Sequence, residues 1–525
     1  MKMTIKLNAP GMTSLHKAGL AGLYLTLRAF EETGQQIKGL GWELDPTQVT
    51  LEWRVQKPKE AFAALIAKSF WLDDGFVRLT GLEASKSPTP DQKQLLNYAL
   101  QHSFLQFGPE NPTGTPRLLS YEIDEHLYWL KDFKPIMKIR HQKAVQDFID
   151  PDGSFKVEVA AKSWMYPGGM TRHEVHSKST TILERPETAL ALLFAPVGVI
   201  YYAIKSRAKG RKARLVMLVP EIKDLALYAD IRQAFATHSV FEMTASSASD
   251  AALRMLTTIK ANEASNTFAQ FLGDSFFCRI ITFGIVSWNE KQKSRTYTRS
   301  VFSGALPGFE NYRKAAAIFK NRWQRVPAKR DRRGNEAEPE RFFVTTFSAR
   351  EFIADNIAQG RVWYQDLATY LSNKETREQL QYERKEINKM VEVASYDDES
   401  ERLFIRVCHE GWRRRLGKLG ERATRENASF SSLVKREAEK LRTSLSRCKN
   451  ADTLRETVVD FWARAGANEM LRGEGLAKLL PLFAEQNWKK TRDLALLALI
   501  SYQPQSRDEE EALTATTTEE GEENE

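Results

Sequence analysis

The stretch from Ser348 to Tyr502 contains a single proline, Pro481, although the chain has 19 prolines. Proline interrupts helices, whereas the leucine, alanine, glutamate, lysine and arginine that dominate this stretch favour them. Apolar residues recur at helical spacing and predict helices over 349–371, 374–394, 399–424, 430–447, 452–465, 468–484 and 488–502. We therefore expect a helical bundle at residues 396–504, preceded by connecting helices at 348–395.

The first 135 residues predict a mixed α/β part. Apolar residues are spaced as in a helix from Leu15 to Arg28, whereas Val49–Val55 alternates as a strand does and Glu60–Trp71 again favours a helix. Gly19 and Gly22 lie inside the first helix, where they would permit close packing. Their spacing would also suit a phosphate-gripping loop, but no strand–turn context accompanies it.

Residues 136–347 predict a strand-containing part with two hairpins. Pro196–Tyr202 and Leu215–Val219 are apolar runs with β-branched residues, and a basic segment joins them. Ile280–Trp288 and Arg295–Phe302 form a second pair of strand-like runs, again with a cationic connection. Two such runs joined by a short polar segment are typical of a β-hairpin.

A helix is predicted at Phe309–Trp323, and the charged segment 324–341, which contains Pro and Gly, predicts a mobile loop. After Pro504 the chain becomes strongly acidic, so we expect a disordered tail at 505–525. The predicted fold class is α+β. A mixed α/β N-terminal domain with basic β-hairpins is followed by a C-terminal helical bundle and the acidic tail.

The charge of the chain is unevenly distributed. There are 77 Lys and Arg against 68 Asp and Glu, a net charge of +9. Nine acidic residues lie between Asp508 and Glu525 with no basic one, so the rest of the chain carries +18. A basic body of this kind favours a polyanionic partner, with nucleic acid as the first hypothesis. The alternative is a soluble basic protein whose charge has no ligand.

The composition also indicates the cellular compartment of the protein. The three cysteines are far apart in sequence, which is typical of a reducing cytosol rather than a disulfide scaffold. No run of 18 uncharged apolar residues occurs and the first ten residues lack a signal-peptide core, so we expect a cytoplasmic protein without a membrane span.

Catalytic motifs are scarce. The sequence has no GxxxxGK[ST], HExxH, GxSxG or paired CxxC pattern, so we expect no metal site, no cofactor and no enzymatic activity. His173, His176 and Lys178 would in principle suit RNA cleavage around one phosphate, but a polar strand or loop beside a nucleic-acid groove explains them as well. Cys408 and His409 fall in a helical pattern that points them apart, which favours packing.

Three groups of cations in hairpins or loops are candidate DNA- and RNA-binding residues. The first hairpin connection contributes Lys205, Arg207, Lys209, Arg211, Lys212 and Arg214. The second hairpin contributes Lys291, Lys293, Arg295, Tyr297 and Arg299, of which the last three alternate as one strand face would. The charged loop contributes Lys329, Arg330, Arg332 and Arg333. For each group alone, a solvated surface is an equally good explanation.

A fourth candidate is a basic stripe on the first helix of the bundle. Its residues recur mostly three or four apart, so they follow one helix face along which a strand backbone can run: Arg414, Arg415, Lys418, Arg422 and Arg425. Nearby carboxylates are few in sequence, namely Glu410, Glu421 and Glu426. The alternative is again a solvated face.

Two segments resemble a known family. Residues 9–23, APGMTSLHKAGLAGL, and residues 283–295, FGIVSWNEKQKSR, are similar to the large subunits of type I CRISPR surveillance complexes (Cascade), in the I-B branch found in myxobacteria and cyanobacteria. The order of a mixed N-terminal part and a C-terminal bundle fits the same family.

This resemblance implies a non-catalytic subunit of a ribonucleoprotein complex in antiviral defence. Such subunits lie at the 5′ handle of the crRNA, help to recognise the protospacer-adjacent motif, open the target double-stranded DNA and hold the displaced strand in the R-loop. Their partners are the Cascade backbone subunits, small subunits and a helicase–nuclease. Base pairing with the guide supplies most of the specificity, so the protein grips mainly shape and backbone.

The bundle resembles the small subunit of these complexes, which some relatives also produce from an internal start. Met390 precedes the bundle, and translation from it would give 136 residues. Lys385-Glu386 can be encoded by a ribosome-binding sequence at a suitable distance. Three hypotheses follow from the sequence: the binding subunit, a crRNA-processing or nuclease enzyme that uses His173, His176 and Lys178, and a structural protein with a basic surface.

Overall fold

The computed structural model describes residues 1–503 except 84–86, 106–114, 116, 124–125, 134, 163, 168–181, 208–211, 263–276, 288–292, 303–307, 331–333, 335, 339 and 473. The chain divides into two compact units. The first unit comprises Met1–Lys205, Lys212–Ala305 and Asn321–Thr346, and the second comprises Ser206–Arg211, Leu306–Lys320 and Phe347–Glu525. The domain boundaries drawn from sequence remain predictions.

Strands and helices are interspersed along the chain up to residue 302. They are β1 (Lys2–Lys6), α1 (Ser14–Glu32), β2 (Leu40–Asp45), β3 (Gln48–Trp53), α2 (Lys59–Ser69), β4 (Phe70–Asp73), β5 (Phe76–Leu79), α3 (Pro90–His102), β6 (Arg117–Ile123), β7 (His126–Phe133), α4 (Val145–Phe148), β8 (Val159–Ala161), β9 (Ile182–Glu184), α5 (Pro186–Leu193), α6 (Ala195–Gly198), β10 (Ile200–Ile204), β11 (Lys212–Pro220), α7 (Leu225–Ala236), β12 (Thr244–Ala245), α8 (Ala248–Ala261), β13 (Phe277–Ser287) and β14 (Lys293–Phe302).

After one further helix and four short strands the chain is helical to its last described residues. The elements are α9 (Phe309–Ile318), β15 (Arg322–Val326), β16 (Lys329–Arg330), β17 (Glu336–Glu338), β18 (Arg341–Thr345), α10 (Ser348–Ile357), α11 (Leu367–Tyr370), α12 (Lys374–Tyr382), α13 (Arg384–Val393), α14 (Glu399–Glu426), α15 (Phe430–Arg447), α16 (Ala451–Ala465), α17 (Glu474–Leu479) and α18 (Trp488–Ser501). The predicted α+β class, with mixed elements first and helices last, is confirmed.

The largest sheet of the first unit has the strand order β12-β10-β11-β13-β14. The pairs β10–β11, β11–β13 and β13–β14 are antiparallel, and β12 runs parallel to β10. A smaller sheet has the order β1-β3-β2. One continuous apolar core includes residues of both sheets, from Met3 in β1 to Phe283 in β13. Both predicted hairpins therefore belong to one sheet that is anchored in a large core.

The buried helix α1 packs against the short helices α5 and α6. A Cβ atom at Gly19 would overlap the carbonyl group of Ala191, and one at Gly22 would overlap the carbonyl oxygen of Phe194. The interpretation of these glycines as close-packing positions is therefore confirmed, and a phosphate-gripping loop is excluded by the helix that contains them.

Three predicted elements differ from the structure. Pro196 lies at the start of the helical turn α6 rather than in a strand, because proline suits the first turn of a helix. The helix that starts at Phe309 ends at Ile318, not Trp323, since the following residues pair with β18. The segment 324–341, predicted as a loop, contains parts of four strands in two antiparallel ladders.

Most helices of the second unit begin close to where the sequence predicts, but the predicted helix 468–484 is reduced to α17, and the predicted helix 374–394 divides into α12 and α13. The Asp398 side chain caps α14 by accepting a hydrogen bond from the Ser400 amide, and the Asn450 side chain caps α16 by accepting one from the Thr453 amide. The predicted helix 349–371 divides into α10 and α11, because Gly360 and Asp366 adopt a left-handed backbone between them. The bundle core contains Trp412 of α14 with Phe461 and Trp462 of α16.

Candidate nucleic-acid interface

Both basic hairpins leave the same end of the five-stranded sheet. β11 begins at Lys212, which pairs with Ile285 near the end of β13, and Ser287 at the end of β13 pairs with Lys293 at the start of β14. The antiparallel register therefore puts the end of β10 and the start of β11 at the same end of the sheet as the end of β13 and the start of β14. We call this end, which carries Lys205, Arg214 and the backbone of Lys212 and Lys293, the basic sheet end.

Two β-bulges lie just before this end. The β11–β13 register shifts between Ala213 and Leu215, and the β13–β14 register shifts between Phe283 and Val286. Gly284 lies between the bulges with a φ of +141°, a backbone conformation that other residues rarely adopt. Bulges bend strands and increase their twist, so both hairpin ends are redirected together relative to the sheet below.

At the root of the first hairpin, cations surround a small aromatic pair. Lys205 and Arg214 are exposed, and the Lys205 Nζ lies 6.0 Å from the ring centroid of Tyr98. The Tyr98 hydroxyl donates to the Arg214 carbonyl oxygen at 3.1 Å, and its ring lies 4.2 Å from the His102 ring. Both aromatic residues are on α3, so this helix supports the basic sheet end.

The protonation states of this aromatic pair are fixed by burial. Burial raises the pKa of Tyr98 to about 12, so the phenol stays neutral. Burial also lowers the pKa of His102, and the charges of Arg214 and Lys205 lower it further, so the imidazole is neutral at pH 7. The net positive charge here comes from Lys205 and Arg214. Sequence reasoning missed Tyr98 and His102; their i, i+4 spacing on one helix was the available signal.

The β15–β18 ladder, which flanks the third cationic group in sequence, is tethered to the same end of the sheet. The Asn321 side chain donates to the carbonyl oxygens of Phe241 and Thr244, and the Thr346 hydroxyl donates to the Lys205 carbonyl oxygen. Strands β15 and β18 extend from these anchors. Lys329 and Arg330 are exposed in β16, and their register partners in β17 are Glu338 and Glu336.

Arg207 of the first hairpin connection lies near a buried carboxylate. Residues 206–211 belong to the second unit, where the Arg207 Nη1 lies 3.8 Å from the buried Glu383 carboxylate and the guanidinium side chain is only 25% exposed. The neighbouring Ser206 hydroxyl donates to the Glu351 carboxylate at 2.8 Å. Of the residues predicted for this group, Arg207 therefore compensates an internal charge.

The basic stripe on α14 is largely paired within the bundle. Arg414 contacts Glu410, Arg415 contacts Glu437 on α15, and Arg422 contacts Glu426. The Lys418 Nζ donates to the Arg464 carbonyl oxygen at 2.9 Å. Hydrogen bonds from Arg413, and then from Arg414, lower the pKa of Glu410 to about 2.

Glu437, the partner of Arg415, lies on the next helix, so the sequence around Arg415 did not indicate this ion pair. Arg425 lies 3.5 Å from Glu426, but 77% of its side chain is exposed.

Several predicted residues fall outside what the structure describes. These are Lys209, Arg211, Lys291, Arg332, Arg333, the residues His173, His176 and Lys178, and the tail 505–525. For Lys212, Lys293, Arg295, Tyr297 and Arg299 the backbone alone is described. The last three occupy alternate positions of β14, the edge strand of the sheet.

The described residues offer little for catalysis. They include no group of three His, Cys, Asp or Glu residues that could hold a metal ion. Burial raises the pKa of Cys408 to about 12 and lowers the pKa of His409 to about 4, and the His409 Nε2 lies 2.9 Å from the Ser501 hydroxyl on α18. Cys408 and His409 are therefore packing residues of the bundle, as their helical pattern predicts. Within the part of the chain that the structure describes, no helix is both long and apolar enough to cross a bilayer.

Comparison with known proteins supplies a relationship along nearly the whole chain. Over 527 aligned residues the chain is 28% identical to the CRISPR-associated protein Cas8a1/Csx13 of Myxococcus xanthus (strain DK1622), covering 95% of this chain and 88% of that protein. The chain is a homologue of a CRISPR-associated protein. Residues 4–193 match the model of the DevT N-terminal domain, and residues 392–525 match that of the DevT C-terminal domain.

The two domain matches cover the N-terminal and the C-terminal parts of the chain. The first contains the opening segment 9–23 and ends with α5. The second begins seven residues before α14, so it covers the helices α14–α18. The myxobacterial homologue agrees with the resemblance found in the sequence, while the I-B branch remains a prediction.

Proposed function

We propose that this chain is the non-catalytic large subunit of a crRNA-guided DNA surveillance complex. The observation that carries the proposal is that both predicted basic hairpins start from one end of the sheet, beside the exposed Lys205 and Arg214, in a homologue of a CRISPR-associated protein. Exposed lysines and arginines on loops and strand ends suit contacts with phosphates, which position a nucleic acid without reading its sequence.

The basic sheet end is the proposed grip on the target duplex and guide. In this role it helps to recognise the protospacer-adjacent motif and to open the duplex, while guide–target pairing supplies most of the specificity. Lys205 and Arg214 are exposed beside Tyr98, a combination that suits a phosphate and an adjoining sugar or base. The Cascade backbone subunits are the proposed neighbours that complete this site.

The bundle of α14–α18 is the proposed support of the displaced strand and a docking platform for the helicase–nuclease. Arg425, although 3.5 Å from Glu426, keeps 77% of its side chain exposed and is the stripe cation proposed to contact the strand. We further propose that Met390 is an internal start for a small subunit. The DevT C-terminal match begins two residues after Met390, which supports this proposal.

The test is target binding by the complex assembled with guide RNA and its other subunits. The double variant Lys205→Gln/Arg214→Gln removes two exposed cations of the basic sheet end, and Lys2→Gln/Arg54→Gln removes two exposed cations elsewhere in the first unit. We expect the first variant to bind target DNA more weakly, with a slope of log affinity against log salt shallower by about 1 to 2.

The control should retain the wild-type slope. Equal slopes for the two variants and the wild type would contradict a direct phosphate role. Loss of target DNA binding in both variants alike would point instead to a general effect of net charge.

A further inference from the structure

A cavity of about 60 Å³ lies in the first unit between α3, α7 and β10. Most of its wall is apolar, with Leu95, Leu96, Phe235 and Met243 among the lining residues. Each water needs on the order of 10–15 Å³ measured this way, so the space admits a few waters or one small ion with its solvation.

One wall of the cavity carries a buried guanidinium. Arg232 on α7 is 4% exposed, and its Nε donates to the Val197 carbonyl oxygen at 3.0 Å. Among the described residues, no carboxylate lies within ion-pair distance of Arg232, and the bond from Nε to Val197 is the one hydrogen bond of its guanidinium. Burial lowers the pKa of Arg232, but arginine stays charged at neutral pH. A buried, uncompensated charge is costly, so it calls for a counter-ion.

The other polar groups of the lining are compatible with an anion. Lys93 adds a second positive charge, partly balanced by Asp73 at 3.4 Å. Burial lowers the pKa of His238, so its neutral imidazole offers one N–H donor at pH 7. Glu83 also lines the cavity, but its two carboxylate oxygens accept hydrogen bonds from the Arg78 guanidinium at 2.6 and 2.5 Å.

We propose that this cavity binds a small oxyanion of the phosphate class on Arg232. A guanidinium presents parallel N–H donors that match two oxygens of such an anion, and the apolar wall strengthens the interaction by excluding water. The site is distinct from the basic sheet end, although α3 contributes to both. Leu95 and Leu96 line the cavity, whereas Tyr98 and His102 support the hairpin root.

The experiment measures binding of inorganic phosphate to the full chain by equilibrium dialysis in phosphate-free buffer. We expect saturation near one phosphate per chain for the wild type, a loss of affinity of at least tenfold for Arg232→Met, and partial retention for Arg232→Lys. Arg54→Met removes the same charge from an exposed site and should bind as the wild type does. Equal binding by Arg232→Met and the wild type would overturn the proposal, as would the absence of saturable binding.

A second variant keeps the proposal testable if Arg232→Met fails to fold. Leu96→Phe fills the cavity and leaves every charge in place, so it should also reduce phosphate binding, and unchanged binding would contradict the cavity as the site. A 5′-phosphorylated dinucleotide and its unphosphorylated form then distinguish the source of the anion. Competition by the phosphorylated form alone indicates a nucleic-acid end, and competition by neither indicates a free anion.

Discussion

The backbone amide of Ser348 donates a hydrogen bond of 2.8 Å to the buried carboxylate of Glu383, and the amide of Ala349 donates to the other oxygen at 2.7 Å. Glu383 lies between α12 and α13 and so caps the first turn of α10, where amides lack partners within the helix. Arg207 lies near the same carboxylate. One residue thus connects three segments that are distant in sequence.

Replacing Glu383 should destabilise the second unit. Glu383→Ala leaves two buried amides without an acceptor, and we expect a loss of about 2 to 4 kcal/mol in the free energy of unfolding, measured by urea denaturation. Glu378→Gln, a partly exposed change on α12, should cost less than about 0.5 kcal/mol. A loss as small as that of the control would contradict the capping role.

Neutralising four cations of the first hairpin together, Lys209, Arg211, Lys212 and Arg214, should weaken target DNA binding by the assembled complex and flatten its salt dependence. Arg207→Gln is the informative comparison, because Arg207 lies near Glu383. We expect that variant to lower stability by about 1 kcal/mol and to leave the salt slope unchanged. An unchanged slope in the fourfold variant would exclude a direct phosphate role for the four cations.

Met390 is buried in α13, so the test of an internal start has to preserve the full-length fold. Leucine is close to methionine in volume and should cost less than about 1.5 kcal/mol. A Met390→Leu variant with a non-start codon should therefore retain full-length protein and lose a product of about 15 kDa on a gel. Persistence of the short product would contradict the start site.

The nuclease hypothesis predicts that His173 and His176 are needed for guide maturation. Our proposal predicts the opposite: the purified chain leaves labelled RNA and DNA uncut, and a His173→Ala/His176→Ala variant supports normal crRNA length in cells. Loss of mature crRNA in the variant, with the protein still folded, would favour the enzyme.

Close packing of α1 on α5 makes Gly19 a sensitive position. Gly19→Ala should lower the free energy of unfolding by about 3 kcal/mol or more, because the new methyl group overlaps the Ala191 carbonyl. Gly417 of α14 faces open space, so Gly417→Ala should stabilise its helix by up to about 1 kcal/mol. Both changes can be followed by thermal unfolding; similar effects at the two positions would refute the packing argument.

Sequence patterns correctly predicted the elements that are defined by residues close together in the chain. Helix α15 coincides with its predicted bounds of 430–447, since apolar periodicity and a capping Ser429 define it. The strand β15 was missed because its pairing with β18 lies beyond any local window.

The same contrast between local and distant signals applies to the candidate nucleic-acid interface. The sequence indicates which segments are basic, but the convergence of the two hairpins depends on the β11–β13 pairing. The internal roles of Arg207 and Arg415 likewise depend on Glu383 and Glu437, which are distant in sequence.

Each compact unit is assembled from three separate segments of the chain. No single cut therefore yields either unit intact, and an exchange of modules between relatives would have to transfer several segments together. A short product that starts at Met390 would also lack α9, whose Asn311 side chain exchanges two hydrogen bonds with the Ser395 backbone. Made on its own, the bundle would have to satisfy those two backbone groups with water or with another protein.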